Sequence, residues 1–210
     1  DFEMLQTGHG DMDTVAPTID MTRKAFEREP RKPVVNSEVN YEGILGRSFE
    51  NIQRLDFWHT TINGAAGFTY GANGIWQLNA PGKPYGASPH GNSWGDTPWQ
   101  EAAQLPGSRQ VGLGAQLWRR FPFWQFERHP EWLVPDTSQA AWNASTAVGI
   151  PGRIRVAYLP FNWKPPLIGK LEPGVVYKAW YWDTRTGEVT ELGEAEGDAE
   201  GNWKPPKAPC

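Results

Sequence analysis

Cysteine is nearly missing from this sequence: the one residue, Cys210, is the last of 210. That excludes an internal disulfide and a cysteine-built metal centre. Runs of positive charge are missing too. No Lys/Arg cluster exceeds two residues and the net charge is −4, so there is no basic face for a nucleic-acid backbone. No apolar run approaches the 18 or so residues of a membrane span. His9, His59, His90 and His129 are scattered, with no pair at ligand spacing, so no metal site and no cofactor are expected. The glycine-rich stretch 64–74 has neither GxGxxG nor a GK[ST] ending and makes a poor phosphate cradle. The opening residues also lack an initiator methionine and a leader; Asp1–Gln6 begins inside a strand pattern, as a truncated piece would.

What is abundant is aromatic. Twelve Trp, with 6 Tyr and 9 Phe, exceed what a core alone needs and suggest aromatic platforms. With 39% hydrophobic and 21% charged residues the chain can bury a core, so disorder is not expected. The 23 Gly and 19 Pro imply many turns. The length prior is about 1.4 domains.

Periodicity divides the chain near residue 122. The first part alternates. Residues 1–6 read as a strand. Val15, Ile19, Thr22 and Phe26 share a helical face, with Thr14 as N-cap and Pro17 in the first turn. Pro33–Glu38 reads as a strand, Arg47–Thr61 as a helix and Gly64–Tyr70 as a small-residue strand. Such alternation means βαβ units and a parallel sheet. After a loop over 71–96, Thr97-Pro98-Trp99-Gln100 predicts a helix start with a capping box. Pro106-Gly107 should end that helix, and Ser108 should cap another running to about Phe121. Beyond 122, segments 154–158, 175–182 and 188–192 alternate as strands. Asp183–Gly187 is a hairpin turn between the last two, so this part reads as an antiparallel β module.

Three stretches carry candidate chemistry. Val35-Asn36-Ser37-Glu38 ends a βα strand, where parallel folds place functional groups. Glu38 suits a catalytic carboxylate there, and equally a capping or salt-bridging residue. Gln6-Thr7-Gly8-His9-Gly10 follows another strand; it either sets Gln6 and His9 beside the same pocket or is a polar turn. Tyr70-Gly71-Ala72-Asn73-Gly74-Ile75-Trp76-Gln77 is a glycine-spaced aromatic loop of the kind that stacks on sugar C–H faces, with Asn or Gln for hydroxyls; the same aromatics would also serve as core. Asn143-Ala144-Ser145 fits a glycosylation sequon, a pattern that arises often by chance.

The stretches Asp1-Phe2…Gln6-Thr7-Gly8-His9, Lys32–Glu38…Tyr41-Glu42-Gly43 and Gly64–Trp76 resemble the apiosidase-like glycoside hydrolases, bacterial (β/α)8-barrel enzymes of plant-polysaccharide breakdown. Tyr158-Leu159-Pro160 and Trp182–Glu188 resemble their C-terminal β-sandwich of collagen-binding type. The resemblance implies an α/β plus all-β chain: the C-terminal part of a (β/α)8 TIM barrel, strands six to eight, over 1–122, then an antiparallel β-sandwich over 123–210. It implies that barrel strands one to five and the last sandwich strand lie outside this chain. It places Glu38 at the end of strand seven as the nucleophile of a retaining mechanism. Gln6, His9, Tyr41, Tyr70 and Trp76 line the sugar pocket, and Glu42 is an alternative carboxylate better suited to a supporting role. The acid/base residue would follow strand four, so the isolated chain is expected to be inactive. A polysaccharide or oligosaccharide substrate, a monomer, and an extracellular or periplasmic parent protein follow from the same resemblance. The rival reading is a non-catalytic carbohydrate- or matrix-binding module with Trp163, Trp180, Trp182 and Trp203 as platforms.

Overall fold

The computed structural model describes residues 1–83, 85–86, 94–136, 139–161 and 164–208. His90 and Trp163 lie outside these described residues. The first part is the expected alternation: β1 (Glu3–Gln6), α1 (Met12–Phe26), β2 (Val34–Glu38), α2 (Glu50–Ile62) and β3 (Gly67–Phe68). The sheet order is β1-β2-β3 and both pairings are parallel. Glu3 lies opposite Val34 and, after an irregularity beside Leu5, Gln6 lies opposite Glu38. That register brings the polar ends of β1 and β2 together at one end of the sheet.

Local details differ from the sequence reading. α1 starts at Met12, just after Asp11, whose φ of 60° turns the chain, so Thr14 is inside the helix and does not cap it. Pro17 sits in the second turn rather than the first. Its missing N–H leaves only the Asp13 carbonyl without a helical partner, and Asp13 is exposed to water. β3 is two residues long because Gly64–Ala66 turn out of helix α2 before the chain extends. α3 (Trp99–Ala102) has Pro98 at its N-cap and no side-chain cap. α4 (Pro106–Trp118) begins at the proline expected to end a helix. At the first helical position a proline gives up an N–H that has no partner anyway.

α2 is the centre of the molecule. Ile52, Leu55, Phe57, Trp58 and Ile62 are buried against Val15 and Ile19 of α1 and Leu117 and Trp118 of α4. Trp58 lies 5.5 Å from Trp118 and stacks at 5.7 Å on Tyr158. Its polar residues Gln53, Asp56, His59 and Thr60 are buried as well. A helix buried on nearly every side needs partners for such groups. His59 finds one in the Trp142 carbonyl, 3.0 Å from its Nε2.

Every strand pairing described beyond residue 126 is antiparallel. β4 (Glu127–Arg128), β6 (Thr146–Ile150) and β7 (Ile154–Tyr158) form one sheet. β5 (Leu133–Val134) pairs with β8 (Leu167–Ile168), and β9 (Tyr177–Trp182) with β10 (Val189–Ala195). Of the three segments read as strands, 154–158 is β7 as read, β9 starts two residues later than read and β10 runs three residues further. Asp183–Gly187 is the turn between the last two, closed by a Gly187 N–H to Asp183 carbonyl bond at 2.8 Å. Val148 and Tyr158 join the α2 core, so the two parts share one packed interior.

Two large cavities are lined by residues other than the Glu38 group. One of about 920 Å³ is lined by Trp132, Tyr158, Ile168 and Trp180, the other, of about 790 Å³, by Phe26, Phe57, Phe68 and Trp118. Their walls mix core aromatics with polar residues such as Arg54, Arg155 and Arg119, and neither includes Glu38. No helix among the described residues is long and apolar enough to cross a membrane.

Candidate active site

At the polar end of the sheet, β2 delivers Glu38 with its side chain about one-third exposed. Two groups converge on one of its oxygens. The His9 ring, from the loop after β1, brings Nε2 to 2.9 Å from Oε1, and the Tyr41 hydroxyl, three residues past Glu38, donates to Oε1 at 2.9 Å. A carboxylate only accepts, so His9 must carry its proton on Nε2. Among the described residues Oε2 has no protein donor. The result is a carboxylate held by one oxygen with the other free. Burial, and then the bond to Glu38, push the Tyr41 hydroxyl well above its ordinary range, so it stays a donor at neutral pH.

Each holding residue is itself held. The His9 and Tyr41 rings lie 4.3 Å apart, and Tyr41 lies 6.1 Å from Trp76. Gly71 is where it is because of Tyr41: a Cβ there would sit 2.3 Å from the ring. Beneath the loop, buried Asn40 ties three segments together. Its Oδ1 accepts the Asp11 N–H at 2.8 Å, and its Nδ2 donates to Asp56 at 2.9 Å and Thr14 at 3.0 Å. Ser48 donates to Asp11 at 3.0 Å. Asp11, Leu45 and Ser48 all have positive φ, between 53° and 60°. Strain of this kind persists only where surrounding bonds over-determine it, and it clusters at functional sites.

The sequence-derived candidates separate into groups. Glu38, His9 and Tyr41 come together directly, and Trp76 stands next, 43% exposed. Gln6 is the register partner of Glu38 and is exposed. Tyr70 is placed differently from the sequence reading: its hydroxyl donates to Glu42 at 2.5 Å, not to the Glu38 pocket. Glu42 is fully buried and also accepts the Gly107 N–H at 3.0–3.1 Å, at the start of α4. Desolvation pushes its carboxyl above the usual range, against the pull of the Tyr70 and Gly107 bonds. Its side chain has no exposed surface. Asn73 and Gln77, read as hydroxyl binders, are buried and bond to each other at 2.8 Å, and Gln77 Oε1 accepts the Gly74 N–H at 2.5 Å. They fix the turn that carries Trp76.

The Glu42–Gly107 contact, 65 residues apart, and the buried Asn79 were not legible as site features. The only hint was that both fall in or beside glycine-rich loops. Of the rival platforms, Trp180 stacks on Phe121 at 6.4 Å and Trp182 lies under Arg120 at 5.0 Å, both packed on the main core. Trp203 is half-buried and bridges Ile168 through its backbone. No group of three His, Cys, Asp or Glu among the described residues gathers as a metal site.

A family model described as "Apiosidase-like, catalytic domain" matches residues 1–125. Among solved structures, one named "Glycoside hydrolase" superposes on the whole chain and on 49% of its own, with a TM-score of 0.81 and 21% identity. A glycoside hydrolase family 5 protein from Bacteroides vulgatus ATCC 8482 covers the whole chain and 48% of its own, with a TM-score of 0.82 and 20% identity. The chain thus spans about half the length of these structures. No curated protein matches it in sequence.

Proposed function

The chain belongs to the apiosidase-like family, and from that premise we propose that it carries the nucleophile side of a retaining glycosidase acting on plant cell-wall polysaccharide. One observation supports this most: Glu38 accepts both of its protein bonds on Oε1 and leaves Oε2 open. In a double displacement Oε2 attacks the anomeric carbon while the glycosidic bond to the leaving oxygen breaks. A glycosyl ester forms on Glu38 and water later hydrolyses it. The His9 and Tyr41 donors hold the carboxylate for in-line attack and share its charge. Trp76 offers a face for the sugar ring.

The leaving oxygen needs a proton from a second carboxyl about 5–5.5 Å away. Glu42 is fully buried. Glu3 is at the opposite end of β1, in an ion pair with Arg28 at 2.6 Å. We assign the acid to the part of the fold that the solved neighbours have and this chain does not span. In the same reading residues 1–122 are the last strands of a (β/α)8 barrel, 123–210 a β-sandwich, and the parent a monomeric, extracellular or periplasmic enzyme.

The test uses leaving groups that need no acid. A panel of 2,4-dinitrophenyl pentosides and hexosides offered to the chain should give one equivalent of dinitrophenol and then stop, because the second step lacks its base. Glu38→Gln should abolish the burst. No burst with any donor, or a burst that survives Glu38→Gln, refutes the proposal.

A further inference from the structure

The loop beyond Trp76 carries a second exposed ring. Tyr85 is 54% exposed, and its ring centroid lies 5.8 Å from that of Trp76, with the planes at 55°. Ring contacts therefore run from His9 at the carboxylate through Tyr41 and Trp76 to Tyr85.

The loop is fastened from beneath at this point. Asn79 is fully buried. Its side-chain oxygen accepts the Tyr85 N–H at 2.8 Å, and its amide donates to the Gly95 and Thr97 carbonyls at 3.3 and 3.2 Å. Its backbone carbonyl accepts the Trp99 N–H at 2.8 Å. A buried amide satisfied at both ends fixes the backbone around it. Here it fixes a residue whose own ring is mostly in water, so core burial does not explain the arrangement. Two adjacent aromatic faces kept open on a fastened loop are what a ligand platform requires.

We propose that Tyr85 is a specificity-determining residue: with Trp76 it forms a continuous platform that takes the next saccharide unit of a bound glycan, so this site selects oligosaccharide or polysaccharide over a single sugar. The inference rests on the glycosidase reading of Glu38 and adds to it the length of chain recognised. A saccharide unit can cover an aromatic face with its C–H groups while its hydroxyls remain hydrated, which suits a ring with one open side.

The test is a binding titration of the 210-residue chain, followed by tryptophan fluorescence and calorimetry. The probes are mono- to tetrasaccharides of arabinan, xylan and galactan. Affinity for the matching series should rise roughly tenfold once the ligand is long enough to reach Tyr85, an aromatic face contact being worth on the order of that factor. Tyr85→Ala should remove this rise and cost monosaccharide affinity much less, while Tyr85→Phe should keep it. Trp76→Ala should weaken every length. Equal affinity for all lengths, with Trp76→Ala still weakening them, overturns the role of Tyr85 and leaves the glycosidase reading standing. So does a Tyr85→Ala loss that is the same for one sugar as for four. Failure to bind any saccharide overturns both.

Discussion

Two buried residues one helical turn apart on α2, Asp56 and His59, should tilt the stability of this protein in opposite directions over the same pH range. Desolvation raises the fully buried Asp56 from 3.8 to about 7; its bonds to Asn40 oppose this and the Asp11 charge adds to it. Desolvation lowers the fully buried His59 from 6.5 to about 4; the Trp142 carbonyl opposes this and Arg23 adds to it. Between pH 4 and 7 the unfolded Asp56 is ionised while the folded one keeps its proton, so stability falls as pH rises. Between pH 4 and 6.5 the unfolded His59 is charged while the folded one is neutral, so stability rises with pH. The two gaps correspond to about 4 and about 3 kcal/mol. In the parent they nearly cancel.

Removing either group should expose the slope of the other. Asp56→Asn keeps an oxygen for the Asn40 amide. Relative to the unsubstituted chain, its unfolding free energy from urea melts should rise steadily from pH 4.5 to 7, by up to about 1.4 kcal/mol per pH unit. His59→Gln keeps an N–H for the Trp142 carbonyl, and its relative stability should fall over the same range. Taking differences from the parent removes the titrations the variants share. A flat difference curve for both variants, or two slopes of the same sign, would refute the burial argument.

The glycine that makes room for Tyr41 should be intolerant. Gly71→Ala puts a Cβ 2.3 Å from that ring, so the hydroxyl must leave Glu38. A lost bond to a charged group costs about 1.5–3 kcal/mol, and the dinitrophenol burst should slow at least tenfold; an unchanged rate contradicts the positioning role of Tyr41. In the β half, Arg155 lies 4.0 Å over the Trp132 ring and donates to the Gly169 carbonyl at 2.9 Å, to the Lys170 carbonyl and to Glu172 at 3.0 Å. A lysine has no planar fork, so Arg155→Lys should lower unfolding stability by about 1–3 kcal/mol in urea melts; no change would show that these contacts are dispensable.

The βα alternation of the first part was readable because period 2 and period 3.6 differ plainly, and because strand ends announce themselves with polar residues such as Asn36 to Glu38. Of the antiparallel strands after residue 126, β7, β9 and β10 were readable for the same reason, while the two-residue strands β4, β5 and β8 are too short to show a period and β6, Thr146–Ile150, went unread. Helix starts were harder: Pro106-Gly107 is a turn signal and also a proper first turn, and only the buried Glu42 waiting for the Gly107 N–H decides between them. Position at a strand end pointed to Glu38, but the convergence of His9 and Tyr41 on one of its oxygens depends on the parallel register of β1 with β2. Residues 29 apart in sequence carry no local sign of it. Tyr70 illustrates the limit. An aromatic just past a strand suits a sugar pocket, yet a buried carboxylate on the neighbouring loop claims its hydroxyl. The polar residues of α2 carried no sign of their burial, since charged and amide residues normally mark a solvent face. Here Asp56 and Gln53 bond to Asn40, Thr60 to Asn36 and His59 to the Trp142 carbonyl.

The central claim is that the open oxygen of Glu38 is the attacking atom. It is tested most directly by trapping. The chain is incubated with 2-deoxy-2-fluoro glycosyl donors bearing dinitrophenyl leaving groups, digested, and the modified peptide sequenced by mass spectrometry. A single fluoroglycosyl adduct is expected on Glu38, slowed by Tyr41→Phe and absent in Glu38→Gln. An adduct on Glu42, Asp11 or any other carboxylate, with Glu38 unmodified, would contradict it.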